Sequence, residues 1–168
     1  NNEFWKEKAM EKLPALLDST GMLACGEDLG MIPATVPQVM SDLRILSLEI
    51  QRMPKSIHDN FANPAWYPYL SVCTTSTHDM NPIRAWWEED REVTNDFWHM
   101  ILGNQGEAPF YCEPWICRQI LEQHVWSPAM LTILPLQDWL SMDPQLRRED
   151  PNTERINVPA NSRHYWRY

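Results

Sequence analysis

Acidic side chains that follow apolar runs are the residues of this chain with the clearest potential for chemistry. Glu27 and Asp28 come after the apolar run LAC, and His78 and Asp79 come after the run VCTT. Burying an unpaired charge is costly, so each acid needs either a hydrogen-bonding partner or a functional reason for its position. Carboxyl groups that converge from different strands can divide the roles of proton donor and charged base between them.

Two more apolar runs turn polar at their carboxyl ends. In ILSLEIQRMPK the polar residues include Glu49 and Arg52, and MLTILPLQD ends in Gln137 and Asp138. Short apolar runs that are rich in β-branched residues and end in polar ones are typical of buried strands. We predict adjacent parallel strands over 22–25, 45–50, 72–75 and 131–134.

Segments with helical periodicity lie before and between these strands. We predict helices over 2–17, with a kink or restart at Pro14, around 35–43, over one or two stretches of NPIRAWWEEDREVTNDFWHMIL, and over EPWICRQILEQHV. The polar, proline-broken end of the chain is predicted to be a long ordered loop. Strands that alternate with helices indicate a parallel sheet with right-handed crossovers.

Polar residues at the carboxyl ends of parallel strands are typical of a β/α barrel or of an open doubly wound sheet. The segment GEDLG matches neither G-x-G-x-x-G nor the GK[ST] loop, so a nucleotide site is not indicated. A complete barrel needs about 250 residues, whereas this chain has 168. We therefore predict an α/β fold that is half of a barrel.

Glu27 and Asp28 cannot both face a central cavity, because adjacent side chains of an extended segment point to opposite faces. We predict that Asp28 turns outward and hydrogen-bonds a neighbouring loop. Several carboxyl groups around one cavity suit glycoside chemistry, in which one acid protonates the leaving oxygen and another attacks the anomeric carbon.

Composition narrows the classes of partner. The chain carries 23 acidic and 14 basic side chains, a formal charge of −9, which argues against nucleic acid as a partner. No apolar run approaches the roughly 18 residues of a membrane helix, and the start shows no signal peptide, so we expect neither a membrane partner nor secretion. The four cysteines are expected to be free buried thiols in a reducing cytoplasm.

Six motifs together resemble one enzyme family. They are CGEDLGMIP, LSLEIQRMPK, TSTHDMNPIRAWWEED, LPLQDWL, ERINVPA and YWRY. They are similar to the carboxyl-terminal half of the 4-alpha-glucanotransferases, the amylomaltase or disproportionating-enzyme family (glycoside hydrolase family 77). RAWWEED resembles its bacterial and plant-cytosolic branch. The resemblance implies a (β/α)8 TIM-type barrel and a retaining transfer of α-1,4-glucan segments between maltooligosaccharides, with no cofactor and no metal.

The same resemblance implies roles for individual residues. Glu27 of GEDLG matches the general acid/base, and Asp79 of THD matches the carboxylate that stabilises the transition state. His78 matches a residue that hydrogen-bonds the sugar at the cleavage point, and Asn157 of RINVPA matches a loop position that lines the site. The family's nucleophilic aspartate, in a motif resembling R-x-D-H, has no counterpart in these residues.

The resemblance therefore implies that residues 1–168 are a partial catalytic domain. They would hold the fifth to eighth strands of the barrel and lack its first half and its final helix. We expect such a piece to be inactive alone, because the nucleophile is missing, and to self-associate through its open sheet edges.

Two alternatives stay open at the level of sequence. The chain could be a non-catalytic glucan-binding module, which would bind maltooligosaccharides without turnover. The pairs His58–Asp59 and His78–Asp79 could instead belong to a His-Asp metal phosphohydrolase, although such sites usually gather their ligands from helices. Dependence on a divalent metal would favour the phosphohydrolase.

Overall fold

The computed structural model describes residues 1–30 and 32–167. Its α-helices are α1 (Asn2–Asp18), α2 (Val36–Asp42), α3 (Ile83–Trp87), α4 (Arg91–Met100), α5 (Pro114–Val125) and α6 (Leu136–Leu140). Its strands are β1 (Ser47–Ile50), β2 (Ser71–Thr74) and β3 (Leu131–Thr132), and short 3-10 helices cover Pro64–Trp66 and Pro151–Glu154. No helix among the described residues is long and apolar enough to cross a bilayer.

The strands form one parallel sheet in the order β1-β2-β3, which confirms the predicted adjacency and direction. Ser47 pairs with Ser71, and Val72 pairs with Leu131. The predicted strand 22–25 is wrong as a full strand, because only Cys25 forms a parallel bridge, with Leu46. The residues before the bridge, Met22 and Leu23, are exposed, so no packed apolar surface holds them in an extended ladder.

The last predicted strand is also shorter than expected. Pairing ends at Thr132, and α6 begins at Leu136 directly after Pro135. Proline has no backbone N–H, so it cannot continue a ladder, and it is well suited to a helix start. Asp138 therefore lies in the first turn of α6 rather than at the end of a strand.

The predicted helices are largely confirmed, and α1 differs in detail. It runs through Pro14 without a restart, and none of its residues is buried. A proline inside a helix removes one backbone hydrogen bond, and here the helix continues on both sides of it.

The apolar core of the described residues lies among α3, α4 and α5. Trp87 and Phe97 are fully buried, and Phe61 packs edge-on against Phe97 with ring centroids 5.0 Å apart. Ile116 and Ile120 complete the contact from α5. The central strand of the sheet, β2, is also buried along its whole length.

All four cysteines are free. Cys73, Cys112 and Cys117 are buried, as predicted, but Cys25 is exposed. The prediction for Cys25 is wrong because its segment forms a single bridge at the edge of the sheet and no layer of described residues covers it.

Candidate active site

The candidate site begins where the chain leaves β2. Thr75 and Ser76 are still buried, whereas the side chains of His78 and Asp79 are 54% and 56% exposed. The chain thus passes from the core to the surface within four residues. This change places an acid at the carboxyl edge of a parallel sheet, the edge where β/α enzymes carry their active sites.

Asp138 anchors the buried part of this exit segment. Its carboxylate accepts hydrogen bonds from the Thr75 hydroxyl, from the Ser76 hydroxyl at 3.4 Å and from the backbone N–H of Ile83 at 2.9 Å. Burial raises the pKa of Asp138 above its ordinary value, and the bonds from Thr75 and Ile83 oppose that increase. Asp138 therefore fixes both the exit of β2 and the start of α3.

Arg52 holds the same segment from the side of β1. Its guanidinium donates to the backbone carbonyl of Thr75 at 2.9 Å and to that of Asn81 at 2.8 Å, and it stacks over the Trp86 ring at 4.9 Å. Burial lowers the pKa of Arg52 to about 10. Arg52 thus stays charged at neutral pH and clamps the segment that carries His78 and Asp79.

Three of the sequence-predicted residues meet at Asp79. The side-chain amide of Asn157 donates from Nδ2 to Oδ1 of Asp79 at 2.6 Å, and Nε2 of His78 lies 3.3 Å from Oδ2. The Trp166 ring lies close to His78, with the two ring centroids 5.3 Å apart. We call Asp79, His78 and Asn157 the carboxylate cluster.

Arg155 also contacts the carboxylate cluster, and the sequence-based prediction missed it. It donates from Nη2 to the backbone carbonyl of Asp79 at 3.2 Å and from Nε to that of Asn157 at 2.6 Å. The only signal available in the sequence was its position two residues before Asn157 in ERINVPA.

Glu27 and Asp28 have different surroundings. Asp28 is buried, and it accepts from the backbone N–H of Leu48 at 2.8 Å and from Lys55 at 2.7 Å. The predicted hydrogen bond to a loop is met by Lys55, whereas Leu48 belongs to β1. Lys55 also contacts Glu49 at 2.7 Å. Glu27 is exposed, and among the described residues no hydrogen bond or ion pair joins it to the carboxylate cluster. It leaves the sheet in the same direction as Asp79, because the Cys25 bridge is parallel.

A cleft of about 260 Å³ lies beside His78, between the carboxyl ends of β2 and β3. Its lining combines hydroxyl, amide and apolar groups and includes Thr74, Thr77, Met80, Ile133 and Gln137. No Asp, Glu, Lys or Arg is among the described residues that line this cleft. Such a surface suits a neutral ligand that presents both hydroxyl groups and apolar faces.

No group of three or more His, Cys, Asp or Glu side chains is placed to hold a metal ion within residues 1–30 and 32–167. The pairs His58–Asp59 and His78–Asp79 therefore form no such group with the described part of the chain. The observed partners of Asp79 are an amide and an imidazole.

Comparison with known sequences and structures shows the family of the chain. The sequence model of the 4-alpha-glucanotransferase family matches residues 1–168. The chain is 43% identical over 164 residues to 4-alpha-glucanotransferase DPE2 of Oryza sativa subsp. japonica, covering 98% of this chain and 17% of that protein. It is 30% identical to the 4-alpha-glucanotransferase of Chlamydia trachomatis, covering 93% of this chain and 30% of that protein.

The fold agrees with a solved member of this group. The amylomaltase from Streptococcus agalactiae, solved in complex with acarbose, superimposes with a TM-score of 0.69 at 18% identity, covering 95% of this chain and 30% of the other. A parallel sheet with crossover helices defines a β/α-type fold. The chain belongs to the 4-alpha-glucanotransferase family, and it spans less than a third of the length of these relatives.

Proposed function

We propose that these residues form part of the active centre of an enzyme that transfers α-1,4-glucan segments between maltooligosaccharides with retention of configuration. The observation that carries the proposal is the carboxylate cluster at the exit of β2, where Asn157 and His78 flank the exposed Asp79. The family's name and the uncharged lining of the neighbouring cleft support a neutral glucan as the ligand.

In this proposal Asp79 stabilises the positive charge that develops on the sugar ring. A carboxylate does so best when its orientation is fixed before the reaction, and the bond from Asn157 supplies that orientation. His78 hydrogen-bonds the sugar at the cleavage point, and its contact with Asp79 keeps the ring close to that carboxylate.

Glu27 acts as the general acid/base. It protonates the leaving oxygen and later removes the proton from the incoming hydroxyl group. Its exposed carboxyl group is free of internal partners among the described residues, as a group that exchanges protons with substrate requires.

The nucleophile is proposed to come from outside residues 1–168, since no R-x-D-H motif occurs in them. The proposed transfer first forms and then breaks a covalent bond between the sugar and the enzyme. Each step moves one proton, so the reaction needs no cofactor. Because the nucleophile is absent from them, the isolated residues 1–168 are proposed to be inactive on maltotriose. Their open sheet edges are proposed to cause self-association. We further propose a cytoplasmic location, which the free cysteines suit.

The intact protein that contains these residues provides the test. Asp79→Asn and Glu27→Gln keep the side-chain shape and remove the charge, so each should lower the disproportionation of maltotriose by about 10²-fold or more. Asp59→Asn is the matched control, because Asp59 is also an exposed aspartate that follows a histidine. Near-normal turnover in either test variant would refute that role, and loss of turnover with a metal chelator would favour the phosphohydrolase.

A further inference from the structure

Arg155 joins the two segments that form the carboxylate cluster. Its Nη2 donates to the backbone carbonyl of Asp79, and its Nε donates to the backbone carbonyl of Asn157. We propose that Arg155 is a positioning residue of the transfer reaction, one that sets the hydrogen bond from Asn157 to the Asp79 carboxylate. This inference rests on the function proposed above.

The contacts form a closed ring of hydrogen bonds. Arg155 fixes the backbone of both Asp79 and Asn157, and the Asn157 amide then donates to Oδ1 of Asp79 at 2.6 Å. The two segments are far apart in sequence, since Asp79 and Asn157 are separated by 78 positions. A planar guanidinium can donate in two fixed directions at once, whereas a lysine ammonium is a point charge without that geometry.

Residues other than Arg155 anchor the segment 154–157, so the role of Arg155 differs from a contribution to overall stability. The residue before Arg155, Glu154, pairs with the buried Arg84, and Ile156 accepts a hydrogen bond from His164 at 3.0 Å. The backbone carbonyls that accept from Arg155 belong to Asp79 and Asn157, and neither residue is part of the apolar core. Loss of the two hydrogen bonds from Arg155 should therefore disturb the orientation of Asp79 and Asn157 more than it disturbs folding.

This orientation matters because Asp79 is exposed enough for water to compete for its oxygens. Without the two hydrogen bonds from Arg155 the Asn157 backbone is free to shift, and its side-chain amide no longer points at Oδ1 of Asp79. A displacement of about 1 Å in such a group can lower a rate by roughly 10²-fold. The loss should appear in kcat, because the charge that Asp79 stabilises develops in the transition state and not in the bound substrate.

The experiment compares Arg155→Lys and Arg155→Ala with Arg163→Lys in the intact protein. Arg163 is an exposed arginine of the same terminal segment, so it controls for the substitution itself. We expect kcat for maltotriose to fall by about 10- to 100-fold in both Arg155 variants, with KM changed by less than about threefold. A fall that is confined to KM, or unchanged kcat, would overturn the proposal.

A double-mutant cycle then asks whether Arg155 acts through Asn157. If it does, Arg155→Lys should cost little once Asn157→Ala is present, because the bond that it sets is already lost. Independent, additive losses would overturn the inference. Equal melting temperatures for Arg155→Lys and the parent would show that the effect on kcat does not come from unfolding.

A readout that needs no activity separates this inference from the proposed function. The side-chain amide signals of Asn157 in an NMR spectrum should shift in Arg155→Lys and stay in place in Arg163→Lys. If the parent protein fails to act on maltotriose, the proposed function is refuted, and the amide signals still test the positioning role. Signals that do not move in Arg155→Lys would refute that role.

Discussion

Thr75 at the end of β2 donates its hydroxyl hydrogen to the buried carboxylate of Asp138 in α6, across 63 positions of sequence. The same carboxylate accepts from the first backbone N–H of α3, at Ile83. One buried acid therefore ties together the strand exit, the helix that follows it and the segment after β3. The carboxylate cluster lies immediately beyond this junction.

Replacement of Asp138 should destabilise this junction. Asp138→Ala leaves the Thr75 hydroxyl and the Ile83 N–H without their acceptor, and an unsatisfied buried group costs about 1–3 kcal/mol. Because burial raises the pKa of Asp138, the folded state binds the acid's proton more readily than the unfolded state. The contribution of this group to stability should therefore fall as pH rises from the ordinary aspartate value.

Denaturant unfolding at several pH values measures both effects. Asp138→Asn keeps an oxygen acceptor and cannot titrate, so it should flatten the pH dependence with a smaller loss of stability than Asp138→Ala. An unchanged pH dependence in Asp138→Asn would contradict the raised pKa.

The ion pair of Arg84 and Glu154 should behave as a buried pair. Their side chains are 6% and 1% exposed, and Glu154 also accepts from the backbone N–H of Arg148 at 3.1 Å. Glu154→Gln should lower the free energy of unfolding by about 3–5 kcal/mol, because it leaves the Arg84 charge buried without its counterion. Replacing both residues with apolar ones of similar volume should recover much of that loss.

Arg147 and Glu113 supply the matched control for this measurement. Their atoms lie 3.9 Å apart, and the Glu113 side chain is 44% exposed. Glu113→Gln should therefore change stability by no more than about 1 kcal/mol. Equal losses in Glu113→Gln and Glu154→Gln would show that burial does not decide the strength of these pairs.

The three residues of the carboxylate cluster were each named from the sequence, but their contacts with one another were not predicted. THD follows a strand that its own composition identifies, and Asn157 lies in the short motif RINVPA. The alternation of side chains also led to the prediction that Asp28 takes a structural role. The position of Asp79 after a strand follows from residue types and spacing, whereas Asn157 was singled out by the resemblance of its motif to the family.

The contacts that orient the cluster were not predictable in the same way. Asp138 meets Thr75, and Arg155 meets Asp79, only because distant segments pack together. The short length of β3 likewise depends on Pro135, and hydrophobic periodicity does not register the missing N–H of a proline. Sequence patterns thus indicated the acid, and tertiary contacts decided which residues hold it.

His124 should give the protein a loss of stability on the acid side. It is fully buried, its Nδ1 hydrogen-bonds the Ile120 carbonyl at 2.8 Å, and burial lowers its pKa to about 4. The unfolded state takes up a proton near pH 6.5, so stability should be complete above that pH and should fall by up to about 3 kcal/mol as pH drops towards 4.

His124→Gln tests this prediction, because glutamine keeps a donor and cannot titrate. Urea unfolding between pH 7 and pH 4 should show a smaller fall in stability for the variant than for the parent. His99 is exposed, so His99→Gln should leave the parent's pH dependence in place. A parent whose stability is constant over this range would contradict the assignment.

The role proposed for Glu27 predicts a specific chemical rescue. In the intact protein Glu27→Ala should lose about 10²- to 10⁴-fold of its activity on maltotriose, because no group protonates the leaving oxygen. With α-maltosyl fluoride as the donor, the leaving group is fluoride, which departs without that proton. Formation of the glycosyl-enzyme should therefore recover. Azide then attacks the glycosyl-enzyme without a base, releases the enzyme carboxylate and gives an α-maltosyl azide with retained configuration. Asp79→Asn should gain nothing from the same treatment, because Asp79 is proposed to stabilise charge and transfers no proton. If azide formed no sugar product with Glu27→Ala, or if it rescued both variants equally, the division of work between these two acids would be wrong.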